Sequence, residues 1–207
     1  MNNFLSFQNI ILFLSGVIVP IIVAIINKRL EARKTLGNDK LEQEIQASSI
    51  INSKLDNLRE EFHADRAWVM QFHNGGHYYP TGKSIQKFSM FYESVEPGCD
   101  SIKLLFQNIP VSLFAPSANK ILVDNVVEIP DFKDETIATY GLKYTAQETG
   151  SKSTYIFGIR DINNKLIGTL GLDYTKRKKH LDQDDIQMLE IEAAQIGGVL
   201  HNHLIEK

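Results

Sequence analysis

The chain has 207 residues and a formal net charge of −3, from 22 basic and 25 acidic side chains, and it contains a single cysteine. This length is sufficient for one globular domain with its own hydrophobic core. The lone Cys99 excludes an internal disulfide and any zinc site built from several cysteines. Residues 1–37 carry a net charge of +3 and the remainder −6. An acidic main domain argues against nucleic acid as a partner.

The N-terminal segment from Phe4 to Ile26 contains no charged residue in 23 positions. As a helix it would be about 34 Å long, enough to cross a hydrocarbon core of about 30 Å. Lys28 and Arg29 follow this apolar run, whereas a cleaved signal peptide has its positive charge before the run. We therefore expect residues 1–27 to be a transmembrane anchor that makes the membrane a partner. The positive-inside rule then predicts a single-pass protein with a cytoplasmic C-terminal domain.

Residues 28–63 are predicted to be a basic juxtamembrane linker followed by a connecting helix. Its apolar residues form a near-heptad stripe comprising Leu41, Ile45, Ile51, Leu55, Leu58 and Phe62. One interpretation is that the stripe packs on its own domain. The other is that its first half pairs with a second copy as a coiled coil, because the stripe there is narrow for a core helix. The second interpretation favours a homodimer through residues 38–63.

Residues 64–207 are predicted to form the globular domain. Alternation of apolar and polar residues indicates strands at 66–74 and 86–93, with further strands at 120–124, 153–160 and 166–174. Helices are predicted at 100–108 and at the C terminus. This order of elements predicts an α+β fold with an antiparallel sheet and the first and last helices on one face.

Two sequence features mark the ends of these elements. Asn163-Asn164 suits a tight hairpin turn between the last two strands. Asp182 can cap the last helix, with Asp185 three residues later and Leu181 and Ile186 placed as a hydrophobic staple. The apolar stripe of that helix comprises Ile186, Leu189, Ala193, Ile196, Leu200 and Leu204.

Three stretches carry a resemblance to a known family: "ILVDNVVEIPDF", "STYIFGIRDINNKLIGTLGLDY" and "HLDQDDIQMLEIEAAQIGGVLHNHL". Residues 167–172 match the "IG-L-L" pattern of the final strand of GAF domains. A helix with acidic residues at its start and Ala194-Gln195-Ile196 then follows. Over residues 40–207 the chain thus resembles a GAF domain. The resemblance implies a sheet whose free face is roofed by loops that commonly enclose a small ligand.

The stretch "FHNGGHYYPTGKS" (72–84) is similar to a phosphate-binding P-loop, but five residues separate Gly76 from Gly82 where four are required. Within the GAF-like fold, we expect loop 73–84 to roof the ligand pocket. The alternative is a hairpin loop whose tyrosines pack locally. If the loop binds a ligand, donors and stacking faces would come from His73, Asn74, His77, Tyr78, Tyr79 and Lys83.

Further candidate ligand-binding residues lie on the predicted strands. A shared face carrying several of them would be too polar for a plain core. Each taken alone is equally compatible with a surface ion pair or a strand edge. The set comprises Gln71, Ser89, Phe91, Glu93, Arg160 and Asp173.

The sequence predicts neither a metal site nor an enzyme. His73 and His77 are four residues apart, but the Gly-Gly pair between them disfavours a helix. Cys99 has no basic neighbour in sequence to activate its thiol as a nucleophile, and methionine sulfoxide reductases of the GAF-like fold use several cysteines. No Cys-His pair for bilin attachment is present, and a cyclic-nucleotide signature around residues 119–135 has the wrong spacing. No cofactor is specified.

Two functions remain open. The first is a membrane-anchored sensory module that binds a small molecule and signals through dimerisation or a separate partner. The second is a ligand-free membrane scaffold that recruits other proteins. The basic run 176–180 is expected to be a solvated loop, or to contact anionic headgroups if the domain lies near the membrane.

Overall fold

The computed structural model describes residues 18–134, 136 and 140–204. The chain divides into two compact units, Met1–Ile45 and Gln46–Lys207. The first helix, α1, covers Val19–Glu61. Among the described residues, no helix is both long and apolar enough to cross a membrane. Most of the predicted anchor, residues 1–17, lies outside the described residues.

In the first unit, the described part of α1 carries exposed apolar side chains. Ile21, Ile22 and Ile25 near its start are about half exposed, and Leu41 and Ile45 are also exposed. The first half of the predicted heptad stripe is therefore not buried by the described part of its own unit.

The second unit is an α+β domain with one six-stranded antiparallel sheet, as the element order predicts. The strand order is β3-β2-β1-β6-β5-β4. In chain order its elements are β1 (Arg66–His77), β2 (Ser84–Val95), β3 (Ile109–Pro110), a 3-10 helix (Val111–Phe114), α2 (Ala115–Asp124), β4 (Val126–Ile129), α3 (Tyr140–Thr149), β5 (Ser153–Arg160), β6 (Leu166–Tyr174) and α4 (Gln183–Leu204).

One face of the sheet is covered by the second half of α1 and by α4, which confirms that the first and last helices share a face. Leu55 of α1 and Leu189 and Ile196 of α4 are fully buried in one cluster with sheet residues such as Leu170. A salt bridge of 2.7 Å between Lys54 Nζ and Glu192 Oε2 joins the two helices at the edge of this cluster. The second half of the stripe thus packs on its own domain.

The start of α4 has the predicted cap. Asp185 N donates to Asp182 Oδ1 at 2.9 Å, and Asp182 N donates back to Asp185 Oδ2 at 3.3 Å. These reciprocal bonds satisfy backbone donors that a helix start would otherwise leave unpaired. Leu181 and Ile186 are both buried beside them.

Two predicted elements are wrong. Residues 120–124 form the end of α2 rather than a strand, and the strand lies at Val126–Ile129. Asn125 separates them because its backbone is left-handed, with φ of 63°, and its N–H closes the helix on Ile121 O. Residues 100–108 form turns rather than a helix. A side chain on β2 holds these turns: Glu93 Oε1 accepts a hydrogen bond from Ile102 N at 2.9 Å.

Candidate functional site

A cavity of about 100 Å³ lies between the free face of the sheet and a roof of short segments. Strands β1, β2, β5 and β6 form its floor. The roof consists of the turns at 102–106, the 3-10 helix, α2, residue 132 and α3. The lining residues are Trp68, Met70, Phe72, Phe88, Ile102, Phe106, Val111, Phe114, Ser117, Ala118, Ile121, Phe132, Leu142, Thr145, Ala146, Thr149, Ser151, Thr154, Ile156, Thr169 and Asp173.

Strand alternation explains the floor, since every second residue of a strand points to the same side of its sheet. Trp68, Met70 and Phe72 therefore point together into the cavity, as their spacing predicts. The floor meets the roof through an edge-on ring pair, in which the centroids of Phe88 and Phe114 are 5.5 Å apart.

Trp68 lies directly over β6 because its strand partner there is a glycine. Trp68 and Gly171 are paired across β1 and β6. A Cβ atom added at Gly171 would lie 2.0 Å from the Trp68 ring. The absence of a side chain at Gly171 thus leaves the space that the indole ring occupies on the floor of the cavity.

The polar end of the cavity is formed by Asp173, which is buried and accepts a short hydrogen bond from Thr154 Oγ1. Arg66 lies beside it, with its Nη1 3.8 Å from Asp173 Oδ2. The rest of the guanidinium group joins two other segments: Nε donates to Asp100 O at 2.8 Å and Nη2 to Thr149 O at 3.0 Å. Arg66 thereby holds the roof to the floor at this end.

Burial raises the pKa of Asp173, because a desolvated carboxylate is disfavoured, and the bond from Thr154 and the charge of Arg66 only partly oppose this rise. Two donors here remain unsatisfied: Arg66 Nη1 and Trp68 Nε1 are buried without a hydrogen-bond partner among the described residues. The indole lies close enough to Asp173 to favour its carboxylate, but without hydrogen-bond geometry. The Trp68 N–H therefore lies against the Asp173 carboxylate at the polar end of the cavity.

The predicted roof, loop 73–84, does not cover this cavity. Its tip forms a hairpin end that projects into solvent, with Tyr79 98% exposed and Tyr78 50% exposed. None of the six loop residues predicted to bind a ligand lines the cavity: His73, Asn74, His77, Tyr78, Tyr79 and Lys83. The roof is instead built by segments between residues 102 and 151.

The predicted polar face is divided by a bulge in β2. Val69 pairs with Tyr92 and Met70 with Met90, so Phe91 is left out of the pairing and is exposed. Residues before and after the bulge therefore point to opposite sides. Glu93 lies on the cavity side, where it holds the turns at 101–103.

Gln71, His73 and Ser89 do lie together, on the side of the sheet away from the cavity. Gln71 pairs with Ser89 in register, and His73 Nε2 is 2.9 Å from Ser89 Oγ. Ser89 Oγ also accepts a hydrogen bond from Asn108 N at 2.8 Å. These contacts connect β1, β2 and the turn before β3, so Gln71, His73 and Ser89 have a structural role.

Arg160 and Asp173 have different roles. Arg160 lies at the end of β5, and its Nη2 donates to Leu122 O at 3.2 Å, so it caps the carbonyl end of α2. Asp173 is the one residue of the twelve candidates that lines the cavity. The roof residues were hard to predict from the sequence, because they come from turns and short helices without a regular period.

The described part of the chain contains no group of three or more His, Cys, Asp or Glu residues placed to hold a metal ion. Cys99 is partly buried in a turn, and its nearest side-chain partner is Thr175, with Sγ 3.7 Å from Oγ1. Cys99 is not among the residues that line the cavity.

Comparison with known proteins identifies the family. The family model described as "GAF domain" matches residues 48–200, which confirms the resemblance seen in the sequence. A search of curated proteins gave no match.

Solved structures of GAF domains share the fold. The blue-light absorbing form of the PixJ GAF domain from Thermosynechococcus elongatus has a TM-score of 0.63 and 15% identity, covering 78% of this chain and 89% of that one. The phycocyanobilin-bound GAF domain from a cyanobacterial phytochrome has a TM-score of 0.61 and 18% identity, covering 85% and 92%. A phycoerythrobilin-bound GAF domain, also from a cyanobacterial phytochrome, has a TM-score of 0.61 and 18% identity, covering 81% and 91%. At these identities the likeness establishes the fold.

Proposed function

Since the chain belongs to the GAF domain family, we propose that its domain is a non-catalytic sensory module that binds a small, mainly apolar molecule. The binding site is the cavity above Trp68. The observation that carries this proposal is an apolar, aromatic cavity with a polar end formed by Asp173 and Thr154. Ligand sites combine these two features, since apolar walls supply affinity and a few polar groups fix orientation.

The chemistry of the lining defines the ligand further. Its polar groups are hydroxyls of serine and threonine and the carboxyl group of Asp173, whose charge is balanced by Arg66. A hydroxyl group can donate a hydrogen bond to an acceptor atom of a ligand. We therefore propose an apolar body with a single hydrogen-bond acceptor.

A covalently attached bilin, of the kind named for several of the structural neighbours, does not fit these residues. The described residues that line the cavity include no cysteine, and the volume of about 100 Å³ is far below the roughly 300–1,000 Å³ of sites for drug-sized molecules. The proposed ligand is smaller. An apolar cavity of about 150 Å³ is known to accept benzene, so a single ring or a short aliphatic chain is the appropriate size.

We also propose where the domain is located in the cell and how it signals. The uncharged stretch from Phe4 to Ile26, followed by Lys28 and Arg29, supports a membrane anchor with the domain in the cytoplasm. The output would be a dimer formed by the first part of the connecting helix. Exposed Leu41 and Ile45 support this. The apolar residues of α1 from Ile51 onward are buried in the domain core. We therefore propose that the dimer contact uses only the first half of residues 38–63.

A ligand-free interaction protein is the second candidate. Large apolar side chains are exposed on the roof segments, including Leu104, Leu113 and Val123. Exposed apolar surface of this kind is typical of sites that bind other proteins, when the residues are contiguous.

A thermal-shift screen of the full-length chain against small aromatic and aliphatic molecules tests the ligand proposal. A ligand at one hundred times its Kd adds about 2.7 kcal/mol of stability. In the variant Ala118→Leu the larger side chain fills the cavity from α2, and we expect it to abolish the shift. The matched control is Ala115→Leu on the exposed start of the same helix. Absence of any shift, or equal shifts in both variants, would support the interaction protein instead.

A further inference from the structure

A basic groove lies on the surface next to the apolar cavity. Its lining, among the described residues, includes four lysines, Lys133, Lys143, Lys152 and Lys178, and one carboxylate, Asp131. The remaining lining residues are uncharged: Phe132, Ala146, Gln147, Gly150 and Ser151. An excess of positive charge in one concave surface attracts anions and raises their local concentration.

The groove and the cavity share part of their walls. Phe132, Ala146 and Ser151 line both of them. These three residues therefore border both the apolar cavity and the basic groove. A molecule that extends across them would place an apolar part in the cavity and an anionic part among the lysines.

Backbone and side-chain bonds hold the groove in shape. Phe132 N donates to Lys152 O at 3.1 Å, and Lys152 N donates to Tyr174 O at 2.7 Å. Lys152 Nζ donates to Lys176 O at 2.6 Å, and Lys178 forms a close ion pair with Asp131. The loop at 131–133 is thus connected to the start of β5 and to the segment after β6. The lysines are presented by connected segments rather than by a free loop.

We propose that the physiological ligand is an amphipathic organic anion, with an apolar body in the cavity and a carboxylate or similar anionic group in the lysine groove. This inference rests on the proposed function, because the apolar body occupies the same cavity. It adds the chemical class of the ligand and a second set of binding residues. It also gives a role to Lys178, a member of the basic run at 176–180.

The test uses two probes of the same shape, 3-phenylpropionate and the uncharged 3-phenylpropan-1-ol, with inorganic phosphate as a third. Trp68 is the chain's single tryptophan and lines the cavity, so its fluorescence reports occupancy directly. Titrations are made with the full-length chain at low and high salt. We expect the carboxylate to bind more tightly than the alcohol, and its affinity alone to fall with salt.

The variant Lys133→Gln/Lys178→Gln removes two exposed charges of the groove. The control Lys83→Gln/Lys103→Gln removes two exposed lysine charges elsewhere and keeps the same net charge. We expect the groove variant to weaken 3-phenylpropionate by about fivefold or more, on the scale of about 1 kcal/mol for exposed charge contacts, and to leave the alcohol unchanged. The control variant should bind both probes like the unaltered chain.

The outcomes separate the two proposals. If the alcohol and the carboxylate bind equally and the groove variant alters neither, the lysine groove has no role, and only the apolar site remains. If phosphate alone binds, with no change in Trp68 emission, the groove is an anion site unconnected to the cavity, which also overturns this inference. If neither organic probe changes Trp68 emission, the proposed function fails together with it.

Discussion

The two faces of the sheet are built in different ways. The face under α1 and α4 is close-packed: Leu55, Leu170, Leu189 and Ile196 are completely buried and belong to one cluster. The opposite face carries Trp68, Phe72 and Phe88 beneath a roof of turns and short helices. These side chains enclose a cavity instead of closing on one another.

The two faces of the sheet therefore differ in what their packing permits. Long helices with regular apolar stripes bury their side chains efficiently, and close packing leaves no room for a ligand. Short segments held by polar contacts, such as those of Arg66 and Glu93, enclose space that packing alone would have filled. The helix face therefore stabilises the domain, and the roofed face is available for binding.

The largest expected effect is on the helix face. Leu55→Ala leaves a new void in a close-packed cluster and should lower the free energy of unfolding by about 2–5 kcal/mol. The same substitution at Leu142, which lines the existing cavity and is only partly buried, should cost less than half as much. Chemical denaturation of both variants measures the difference. Equal losses would mean that the two faces are packed alike.

Gly171→Ala tests the floor of the cavity. The new methyl group would overlap the Trp68 ring, so the indole must move, at a cost of about 1–3 kcal/mol. Trp68 emission should shift at the same time. The control is Gly198→Ala, since a Cβ at this position of α4 meets nothing within 4 Å and alanine favours helix by about 0.5–1 kcal/mol. An unchanged spectrum in Gly171→Ala would contradict the stacked position of Trp68.

The cap of α4 should have a smaller effect, again on the helix face. Asp182→Ala removes the acceptor for Asp185 N and should cost about 1 kcal/mol. Asp184→Ala, in the same first turn but without that bond, should cost only a few tenths of a kcal/mol through the helix dipole. Equal losses in thermal denaturation would show that charge, not the cap, is responsible.

The effect of pH on stability should differ in sign between two aspartates. The pKa of Asp173 is raised, so its native state binds the proton more tightly, and its contribution to stability falls as pH rises above the ordinary value of 3.8. Relative to the unaltered chain, Asp173→Asn should therefore gain stability between acidic and neutral pH.

Asp65 provides the opposite case. Burial alone would raise its pKa, but the N–H groups of Lys176 and Thr175 lower it below 3.8 overall. Its contribution to stability is present above pH 3.8 and is lost as pH falls. Asp65→Asn should thus lose stability relative to the unaltered chain as pH rises. Denaturation curves at several pH values measure both, and the same sign in both variants would contradict the assignment.

The sequence predicted the structure best where a regular local pattern of residues exists. The strands at 153–160 and 166–174 and the cap at Asp182 match the structure, because alternation and capping are local signals. The sheet and its helical face follow from them. The family resemblance rests on the same stretches.

The position of the cavity could not be predicted from alternation and capping signals. A single bulge at Phe91 reverses the side to which Glu93 points, and periodicity alone does not reveal a bulge. The roof depends on contacts between segments distant in sequence, such as Arg66 with Thr149 O. The hairpin at 73–84 was predicted to roof the ligand pocket because it is rich in glycine, aromatic and polar residues. Its tip instead projects into solvent.

Methyl NMR of the full-length chain, labelled at isoleucine, tests the central claim most directly because isoleucines occupy both faces. Ile102, Ile121 and Ile156 line the cavity, whereas Ile51, Ile186 and Ile196 lie in the helix-face cluster. On titration with 3-phenylpropan-1-ol, we expect saturable shifts of the first three methyl signals and unchanged positions for the second three. Shifts of neither group, or equal shifts of both, would contradict a ligand site beneath the roof.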